Sequence, residues 1–300
     1  MSRTVVVTGC SSGFGRQVSE QLARKGDRVY ATLRGTKGKN AEIARELQAL
    51  AAAESLDLRV LELDVTSTSS VDSAAATVLA ESGAPDVVIN NAGQMFVGFT
   101  EAFSPEELTK QLDINVVGIH RVNRAFLPAM RKHGRGLIIN LSSLAGRVSL
   151  PFFGVYHASK WAVEGYSLAL RRELASSGVD VVVVEPGPFT TALFPSSPRP
   201  EDAEGRAETY PAVTHQTFEE MGSAFEGLFK DPETPTDPGL VVDRIIELTE
   251  MNAGTRPFRS VVGVDFGVRE LNASAEPHEA ALLETMGLTS FATLVSRSRE

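Results

Sequence analysis

The chain has 300 residues, of which 42% are hydrophobic and 22% are charged. This composition excludes a disordered chain, a collagen-like fibre and a coiled coil, and the length is enough for one large domain or two small ones. With 29 Lys and Arg residues against 38 Asp and Glu residues, the net charge is −9. Because that charge opposes binding to a phosphate backbone, we expect no nucleic-acid partner.

Cysteine content and hydropathy bear on the cellular compartment. The single cysteine, Cys10, cannot form an internal disulfide, so nothing in the sequence requires an oxidising compartment. The apolar run at 5–7 is shorter than the roughly 7–15 residues of an export signal. No stretch reaches the roughly 18 apolar residues that span a membrane. We therefore expect a cytoplasmic protein without a membrane span.

Short β-branched runs alternate with longer amphipathic runs through the first two thirds of the chain. This alternation predicts βαβ units on a parallel sheet. The runs at 5–7, 87–89 and 181–184 are apolar at consecutive positions, which indicates that helices cover both faces of the sheet. In chain order the predicted elements are strand 4–8, helix 14–25, strand 28–33, helix 40–54, strand 58–63, helix 68–82, strand 86–90, helix 105–132, strand 137–141, helix 156–177 and strand 179–185.

The sequence changes character between 186 and 238, a stretch that contains nine of the fifteen prolines. We predict that this stretch is an insertion, with one helix near 218–230, that orders over the substrate. Helix and strand signals return at 239–252 and 260–264, and a tail at 277–291 has apolar residues at helical spacing. Because no linker separates two complete patterns, a single domain is favoured. The prediction is one doubly wound, Rossmann-type α/β domain over 1–300, with a core at 3–192 and 237–264, an insertion at about 193–236 and a C-terminal extension at about 265–300.

The segment TGCSSGFG, residues 8–15, ends the first predicted strand and opens the first predicted helix. A turn that brings backbone amides and a helix N-terminus against a pyrophosphate needs residues without a Cβ. The same glycines are compatible with a turn that binds nothing. Their position between a strand and a helix is nevertheless the one that a dinucleotide site requires.

The spacing TGxxxGxG resembles the glycine loop of the short-chain dehydrogenase/reductase family, and further motifs of that family follow in order. The resemblance covers about residues 3–192. The family motifs that match are Asp64 with Val65, the NNAG stretch at 90–93, Asn115, Ser143, the YxxxK motif from Tyr156 to Lys160, and the PGxxxT segment from Pro186 to Thr191. Within the family, the segments 29–34, 115–118 and 150–152 are most similar to those of 17β-hydroxysteroid and retinol dehydrogenases.

The resemblance implies a small-molecule substrate, a catalytic set and a dinucleotide site. The implied catalytic residues are Asn115, Ser143, Tyr156 and Lys160, with Tyr156 as the general acid and base. The implied contacts of the dinucleotide are Gly9, Ser12, Gly13, Phe14, Gly15, Asp64, Val65, Asn91, Ala92, Gly93, Tyr156, Lys160, Pro186, Gly187 and Thr191.

Elementary chemistry supports a role for the Tyr and the Lys of this motif. Tyr156 and Lys160 are four residues apart on a predicted helix, so they share a face. A phenol with a pKa of ~10 is a poor acid or base at neutral pH. A cation at ~4 Å from the phenolate would stabilise it by about 4 kcal/mol, which lowers the pKa by roughly three units. We therefore expect Lys160 to lower the pKa of Tyr156. We also expect Ser143 to hydrogen-bond the reacting oxygen and Asn115 to hold a water that links Lys160 to solvent.

The residues at the end of the second predicted strand indicate which of two dinucleotides, NAD(H) or NADP(H), the protein binds. An acidic side chain there would accept hydrogen bonds from the ribose of NAD and repel a 2′-phosphate. The sequence instead has Leu33, followed by Arg34, which can bind a phosphate in a bidentate manner, and Ser11 in the glycine loop can add a hydroxyl. NADP(H) is therefore favoured over NAD(H). The alternative for Arg34 is a surface side chain that stacks on adenine.

The favoured function is an NADP(H)-dependent enzyme that interconverts a secondary alcohol and a ketone. The expected substrate is bulky and mostly apolar, such as a steroid, a retinoid or an aryl ketone. Two alternatives stay open: an enzyme of this fold for a small polar substrate such as a sugar or an acyl thioester, and a nucleotide-binding regulator without turnover. The residues expected near the substrate are Met95, Phe96, Val97, Leu144, Val148, Leu150 and Phe189, whereas Phe152, Phe153, Phe189 and Phe194 either line the pocket or pack the insertion.

Metal binding and self-association can also be judged from the sequence. The five histidines show no spacing that places two of them on one helix face, so no metal site is expected. Members of the similar family commonly pair through their long helices. The resemblance therefore implies a homodimer or homotetramer formed through the predicted helices 105–132 and 156–177.

Overall fold

Parallel β-strands form the centre of the molecule. The computed structural model describes residues 2–191, 193–194 and 196–295. Residue 1, the predicted core boundary at 192, Pro195 of the predicted insertion and residues 296–300 of the predicted extension lie outside the described residues. The strands of the described part are β1 Thr4–Thr8, β2 Arg28–Leu33, β3 Leu58–Glu62, β4 Val87–Asn90, β5 Gly136–Leu141, β6 Val179–Pro186 and β7 Arg259–Val262. All seven are parallel, and they pair in the order β3-β2-β1-β4-β5-β6-β7.

Helices connect the strands and follow the last of them. A π-helical turn, Asp113–Val117, joins two of the helices without a break. In the part of the chain that the structure describes, no helix is both long enough and apolar enough to cross a bilayer. The helix bounds are α1 Gly13–Arg24, α2 Ala41–Glu54, α3 Thr68–Ser82, α4 Pro105–Leu112, α5 Gly118–His133, α6 Gly154–Leu174, α7 Ala212–Lys230, α8 Gly239–Glu250 and α9 Val268–Thr285.

Successive strand residues enter two different cores, as the period of two in a β-strand requires. Val5 and Val7 of β1 join one core with residues of α1, α2 and α8. Val6, which lies between them, joins the other core with residues of α3 and α5. Both faces of the sheet are therefore covered by helices. The predicted doubly wound, parallel α/β fold is confirmed.

Three helices differ from their predictions by more than three residues at one end or in helix type. The predicted helix 105–132 contains the π-helical turn, which buries the adjacent residues Ile114 and Asn115 together. Helix α7 begins at residue 212, six residues before the prediction. Helix α9 begins at Val268 and runs through Pro277, where the prediction began. Proline removes one backbone donor from a helix, but buried α9 residues on both sides of it, Asn272 and Leu283, pack against the domain and stabilise the helix.

A buried charge cluster attaches α9 to the sheet. Glu185 of β6 is fully buried, and its Oε2 accepts a hydrogen bond of 2.6 Å from Asn272 Nδ2. Asn272 Oδ1 in turn accepts a hydrogen bond of 2.7 Å from Arg147 Nε. Arg259 of β7 lies 3.1 Å from a Glu164 oxygen and 3.9 Å from Glu185 Oε1. Burial, and after it the charge of Glu164, raises the pKa of Glu185 to about 8.

This raised pKa predicts a fall in stability as the pH increases. The folded state holds the Glu185 proton at a pH where the unfolded chain, with a pKa near 4.5, has lost it. The contribution to the free energy of unfolding is therefore complete below pH 4.5 and is lost as the pH rises to about 8. We expect Glu185→Gln, which resembles the protonated acid, to flatten this part of the pH dependence.

Calorimetric melting temperatures between about pH 5 and pH 9 measure the effect. Glu42→Gln, on the exposed surface of α2, is the matched control and should leave the slope of the native protein unchanged. If Glu185→Gln melts with the same pH dependence as the unsubstituted chain, Glu185 does not hold a proton in the folded state.

Candidate active site

A cavity of about 520 Å³ lies at the carboxyl ends of the strands. The strand order reverses between β1 and β4, and ligands of open α/β sheets bind at such a reversal. Of the predicted site residues, Gly15 and Asn115 are not in the cavity wall. Those that line the cavity are Gly9, Ser11, Ser12, Gly13, Phe14, Arg34, Asp64, Val65, Asn91, Ala92, Gly93, Ser143, Tyr156, Lys160, Pro186, Gly187 and Thr191.

The loops after β1 and β4 are joined by hydrogen bonds. Thr8 Oγ1 accepts from the amides of Asn91 and Ala92, each at 3.0 Å. The Asn91 side chain donates to the carbonyl oxygens of Thr8 at 2.8 Å and Gly9 at 3.1 Å. A Cβ on Gly9, whose φ is +74°, would lie 2.8 Å from Ala92 Cα, and a Cβ on Gly15 would overlap the Asn91 side chain. Gly15 therefore lies behind the cavity wall, where its missing side chain lets α1 pack closely against Asn91.

The N-terminus of α1 faces the cavity and fits an anionic group. Ser12, the N-cap residue, makes no side-chain capping hydrogen bond, and the first turn has no acidic residue. The positive end of the helix dipole is therefore not neutralised locally. Gly13 has a φ of +57°, and a Cβ there would meet no protein atom within 4 Å. The loop thus forms a cradle with the chemistry and the space that a pyrophosphate needs.

The end of β2 places a cation at the cavity. Leu33 is buried, whereas Arg34 is exposed in the wall. The backbone that follows is held by Glu62, whose carboxylate accepts from the amides of Gly35 at 2.6 Å and Thr36 at 2.7 Å and from the Thr36 hydroxyl. Burial opposes ionisation of Glu62, but these hydrogen bonds outweigh it and lower its pKa. An ionised Glu62 thus fixes the loop that carries Arg34.

The residues after β3 form the next part of the wall. Asp64 Oδ1 accepts from the Thr66 amide at 2.9 Å and from its hydroxyl at 2.7 Å. Burial opposes ionisation of Asp64, but the hydrogen bonds from Thr66, together with the nearby charge of Arg34, lower its pKa. Val65 packs against α5, where a Cβ on Gly118 would lie 2.9 Å from Val65 Cβ.

Tyr156 and Lys160 lie side by side on α6, and both are almost fully buried. Lys160 Nζ donates to the carbonyl oxygen of Leu141 at 2.7 Å and lies 5.7 Å from the centre of the Tyr156 ring. Ser143, at the end of β5, is hydrogen-bonded to Tyr156. The Ser143 hydroxyl also accepts from the Ala145 amide at 3.1 Å. The structure thus brings the predicted Ser, Tyr and Lys together.

Burial dominates the ionisation of this pair. It raises the pKa of Tyr156 to about 12, and the hydrogen bond with Ser143 only partly opposes the shift. It also lowers the pKa of Lys160 to about 8, although the charge of Glu164 acts in the opposite direction. The expectation that Lys160 lowers the pKa of Tyr156 is therefore wrong for this structure. The phenol is protonated at neutral pH, which is the form that can donate a proton.

Asn115 lies behind the wall, within the π-helical turn. Its Nδ2 donates to the carbonyl oxygen of Gln94 at 2.9 Å and to Ser159 Oγ at 3.0 Å, and its Oδ1 accepts from the Gln94 amide at 2.9 Å. The side chain thus fixes the backbone after β4 and contacts α6 next to Lys160. Its predicted role in holding a water remains a prediction.

The segment after β6 forms the part of the cavity wall that faces the glycine loop. The Gly187 amide donates to the carbonyl oxygen of Val262 at 2.9 Å, and a Cβ on Gly187 would overlap the Val264 carbonyl. Thr191 Oγ1 accepts from the Leu193 amide at 3.3 Å. Phe14 and Phe189 pack edge to face with ring centres 5.8 Å apart. The predicted residues of this segment therefore face the same cavity as the glycine loop.

The remaining wall is apolar and comes from segments far apart in sequence. Phe153, Phe189 and Phe194 line the cavity, as do Met95, Leu144, Val148 and Leu150. Phe152 instead packs on Phe99 and Phe218, and Phe96 and Val97 also lie outside this wall.

Sequence reasoning missed three aromatic residues of this wall, Phe225, Phe229 and Phe266. The one-turn spacing of Phe225 and Phe229 in the predicted helix 218–230 is a signal that could have identified them. Phe266, which follows β7 with a positive φ of 47°, gives no such signal.

Comparisons with known proteins agree with this geometry. A family model described as short chain dehydrogenase matches residues 3–202. The 3-ketodihydrosphingosine reductase of Bacteroides thetaiotaomicron is 38% identical over 206 residues, which are 69% of this chain and 71% of that protein. The 17-beta-hydroxysteroid dehydrogenase type 1 of Homo sapiens is 41% identical over 200 residues, which are 65% of this chain and 59% of that protein.

Solved structures give the same assignment. A short-chain dehydrogenase from Streptomyces avermitilis superposes with a TM-score of 0.75 at 32% identity, covering 95% of this chain and 97% of that one. The resemblance inferred from the sequence motifs is therefore confirmed. Because the family match extends over residues 3–202, more than half of the chain, the protein belongs to the short-chain dehydrogenase/reductase family of NAD(P)-dependent oxidoreductases.

Proposed function

We propose that the protein is an NADP(H)-dependent oxidoreductase that interconverts a secondary alcohol and a ketone on a bulky, mostly apolar substrate. Steroids, retinoids and aryl ketones are the substrate types in question. The observation that carries the proposal is the aromatic wall beside Tyr156. Tyr156 belongs to one apolar cluster with Phe153 and Phe225. Among the described residues of the cavity wall, the charged side chains are Arg34, Asp64 and Lys160. Two of these lie at the predicted adenine end, so Lys160, next to Tyr156, is the charged side chain among the described residues of the substrate end.

The preference for NADP(H) is supported by the end of β2. Leu33 is buried and cannot accept hydrogen bonds from a ribose hydroxyl. Arg34 is exposed at the cavity, and Glu62 fixes the backbone that carries it. Ser11 of the glycine loop also lines the cavity and supplies a hydroxyl. A 2′-phosphate would therefore meet a cation and a donor rather than a carboxylate.

In the proposed mechanism, a bound nicotinamide supplies or accepts the hydride. Tyr156 donates a proton from its hydroxyl to the carbonyl oxygen during reduction and accepts it during oxidation. The Ser143 hydroxyl orients the reacting oxygen. Lys160 uses one of its three N–H donors on Leu141, and the others are available to the ribose of the dinucleotide.

Self-association and compartment remain part of the proposal. Trp161 of α6 is 48% exposed and Val117, next to α5, is 38% exposed. Apolar side chains on the long helices favour pairing of two chains there. We propose a homodimer or homotetramer that uses this face and acts in the cytoplasm. The molar mass in solution, measured by light scattering, tests the oligomeric state.

A substrate panel tests the proposed activity. Steroids, retinoids, aryl ketones and sugars are each supplied with NADPH, and the loss of NADPH absorbance is recorded. We expect turnover of apolar ketones and little turnover of sugars, because the wall of the substrate end is aromatic. Turnover of sugars alone would contradict the proposed substrate class.

Substitution of Leu33 tests the cofactor preference. We expect NADPH to bind more tightly than NADH, and Leu33→Asp to shift the ratio of dissociation constants towards NAD(H) by about tenfold or more, because a carboxylate repels the 2′-phosphate. Fluorescence titration at one stated salt concentration measures both constants. Leu33→Asn, which adds polarity without charge, is the control. Equal affinities of the unsubstituted protein for the two cofactors would refute the preference.

Substitution of Tyr156 tests the catalytic assignment. Tyr156→Phe removes the proton donor and should lower kcat by about 10²–10⁴-fold with nearly unchanged NADPH affinity. Lys160→Met should lower both, and Ser143→Ala should lower mainly kcat. Tyr166→Phe, on the same helix, is the matched control and should retain activity. Tyr156→Phe activity within a few-fold of the unsubstituted enzyme, with chemistry rate-limiting, would show that Tyr156 is not the acid.

Two glycine substitutions separate the structural and binding roles of the loop. A Cβ at position 15 overlaps Asn91, so Gly15→Ala should lower the melting temperature. A Cβ at position 13 meets open space, so Gly13→Ala should cost only about 1–2 kcal/mol of backbone strain but weaken NADPH binding. Melting curves and NADPH titrations distinguish the two variants. Unchanged NADPH affinity in Gly13→Ala would place the dinucleotide elsewhere.

A further inference from the structure

The loop that follows Ser143 forms one side of the substrate end of the cavity. Its lining residues are Leu144, Ala145, Val148 and Leu150. Regular structure in this loop is limited to the short turn Leu144–Gly146, and α6 begins at Gly154. A loop with so few repeated backbone hydrogen bonds needs contacts from other elements to keep one position.

His157 of α6 supplies two such contacts. The residue is 7% exposed, and its ring lies next to the ring of Phe153, with centres 6.0 Å apart. One ring nitrogen, Nε2, lies 2.8 Å from the Leu150 amide nitrogen. The other, Nδ1, lies 2.8 Å from the carbonyl oxygen of Ala145. One side chain therefore holds both ends of the loop.

These two partners determine the protonation of the ring. The Leu150 amide can only donate, so Nε2 must be an unprotonated acceptor. The Ala145 carbonyl can only accept, so Nδ1 must carry the proton. His157 is thus neutral, in the Nδ1–H tautomer, and a side chain with a single polar atom could not replace both bonds.

The Ala145 bond also reaches the reacting groups. The Ala145 amide donates to Ser143 Oγ at 3.1 Å, while its carbonyl accepts from His157. The Gly146 amide donates to the Ser143 carbonyl oxygen at 2.9 Å. The backbone that fixes the Ser143 hydroxyl is therefore itself fixed by His157.

We propose that His157 is a positioning residue, which holds the Leu150 end of the loop as a wall for the substrate and the Ala145 end as the support of Ser143. The inference rests on the proposed function, because it assigns the loop to the substrate and Ser143 to the reacting oxygen. It predicts separable effects on substrate binding and on turnover.

Two amide substitutions separate the bonds. In His157→Asn the amide nitrogen lies near the position of Nδ1 and can still donate to Ala145, but the side chain is too short to reach Leu150. In His157→Gln the terminal oxygen lies near the position of Nε2 and can still accept from Leu150. His157→Phe keeps the ring and removes both bonds.

Steady-state kinetics with the best ketone of the panel give the first readout. We expect His157→Asn to raise KM by about threefold to tenfold with kcat within about twofold, and His157→Gln to lower kcat by about threefold to tenfold with KM within about twofold. His157→Phe should do both. The same changes at His278, exposed on α9, should leave both constants unchanged. Equal changes in KM and kcat for His157→Asn and His157→Gln, accompanied by lower melting temperatures, would show a merely structural role.

Two measurements on the protein itself do not depend on turnover. Nitrogen-15 chemical shifts of the imidazole should show the Nδ1–H tautomer, and an Nε2–H or imidazolium signal would overturn the proposal. Hydrogen exchange of the Leu150 amide should accelerate in His157→Asn and not in His157→Gln. If the panel gives no turnover while these two results hold, the proposed function fails and the anchoring role of His157 stands.

Discussion

The close approach of the β1 and β4 loops is the constraint on which the site depends. Thr8 Oγ1 accepts hydrogen bonds from the amides of Asn91 and Ala92, and Gly9 lies so close to Ala92 that a Cβ would not fit between them. Gly15 allows the first turn of α1 to pack on the Asn91 side chain. Because parallel strands end at one edge of the sheet, fixing this junction also fixes where the α1 N-terminus stands relative to the loops after β5 and β6.

Burial of Tyr156 and Lys160 sets the electrostatics of the reacting end. A sequence shows the spacing of the tyrosine and the lysine on a helix. From that spacing alone, the attraction between the ammonium and the phenolate is expected to dominate the pKa of the phenol. The depth at which the two side chains are buried cannot be read from the sequence. Desolvation disfavours both the phenolate and the ammonium, so it raises the pKa of Tyr156 and lowers the pKa of Lys160. The Leu141 carbonyl compensates the buried ammonium with a hydrogen bond of 2.7 Å. The arrangement favours a phenol that is protonated at neutral pH.

The sequence predicted the sheet, its two covered faces and most of the residues that line the cavity next to the glycine loop, because these depend on local periodicity and on glycines at fixed spacing. The π-helical turn Asp113–Val117 was not predicted, since an extra residue in one turn leaves the apolar spacing nearly unchanged. The prediction started helix α9 at Pro277 rather than at Val268, because the local propensity of proline opposes a helix that tertiary contacts maintain. The wall residues Phe225 and Phe266 come from separate segments, and their meeting is a long-range property.

Chemistry and recognition rest on elements of different stability. The groups assigned to chemistry lie after β5 and on α6, where Tyr156 and Lys160 are almost fully buried. None of the described residues of α7 is fully buried, although its Phe218 packs on Phe152 with ring centres 4.8 Å apart. The loop after Ser143 joins these regions, because it is held by α6 and, through Arg147 and Asn272, by α9. Changes in α7 therefore act on the apolar cluster that contains Tyr156, whereas changes in α9 act on the loop that supports Ser143.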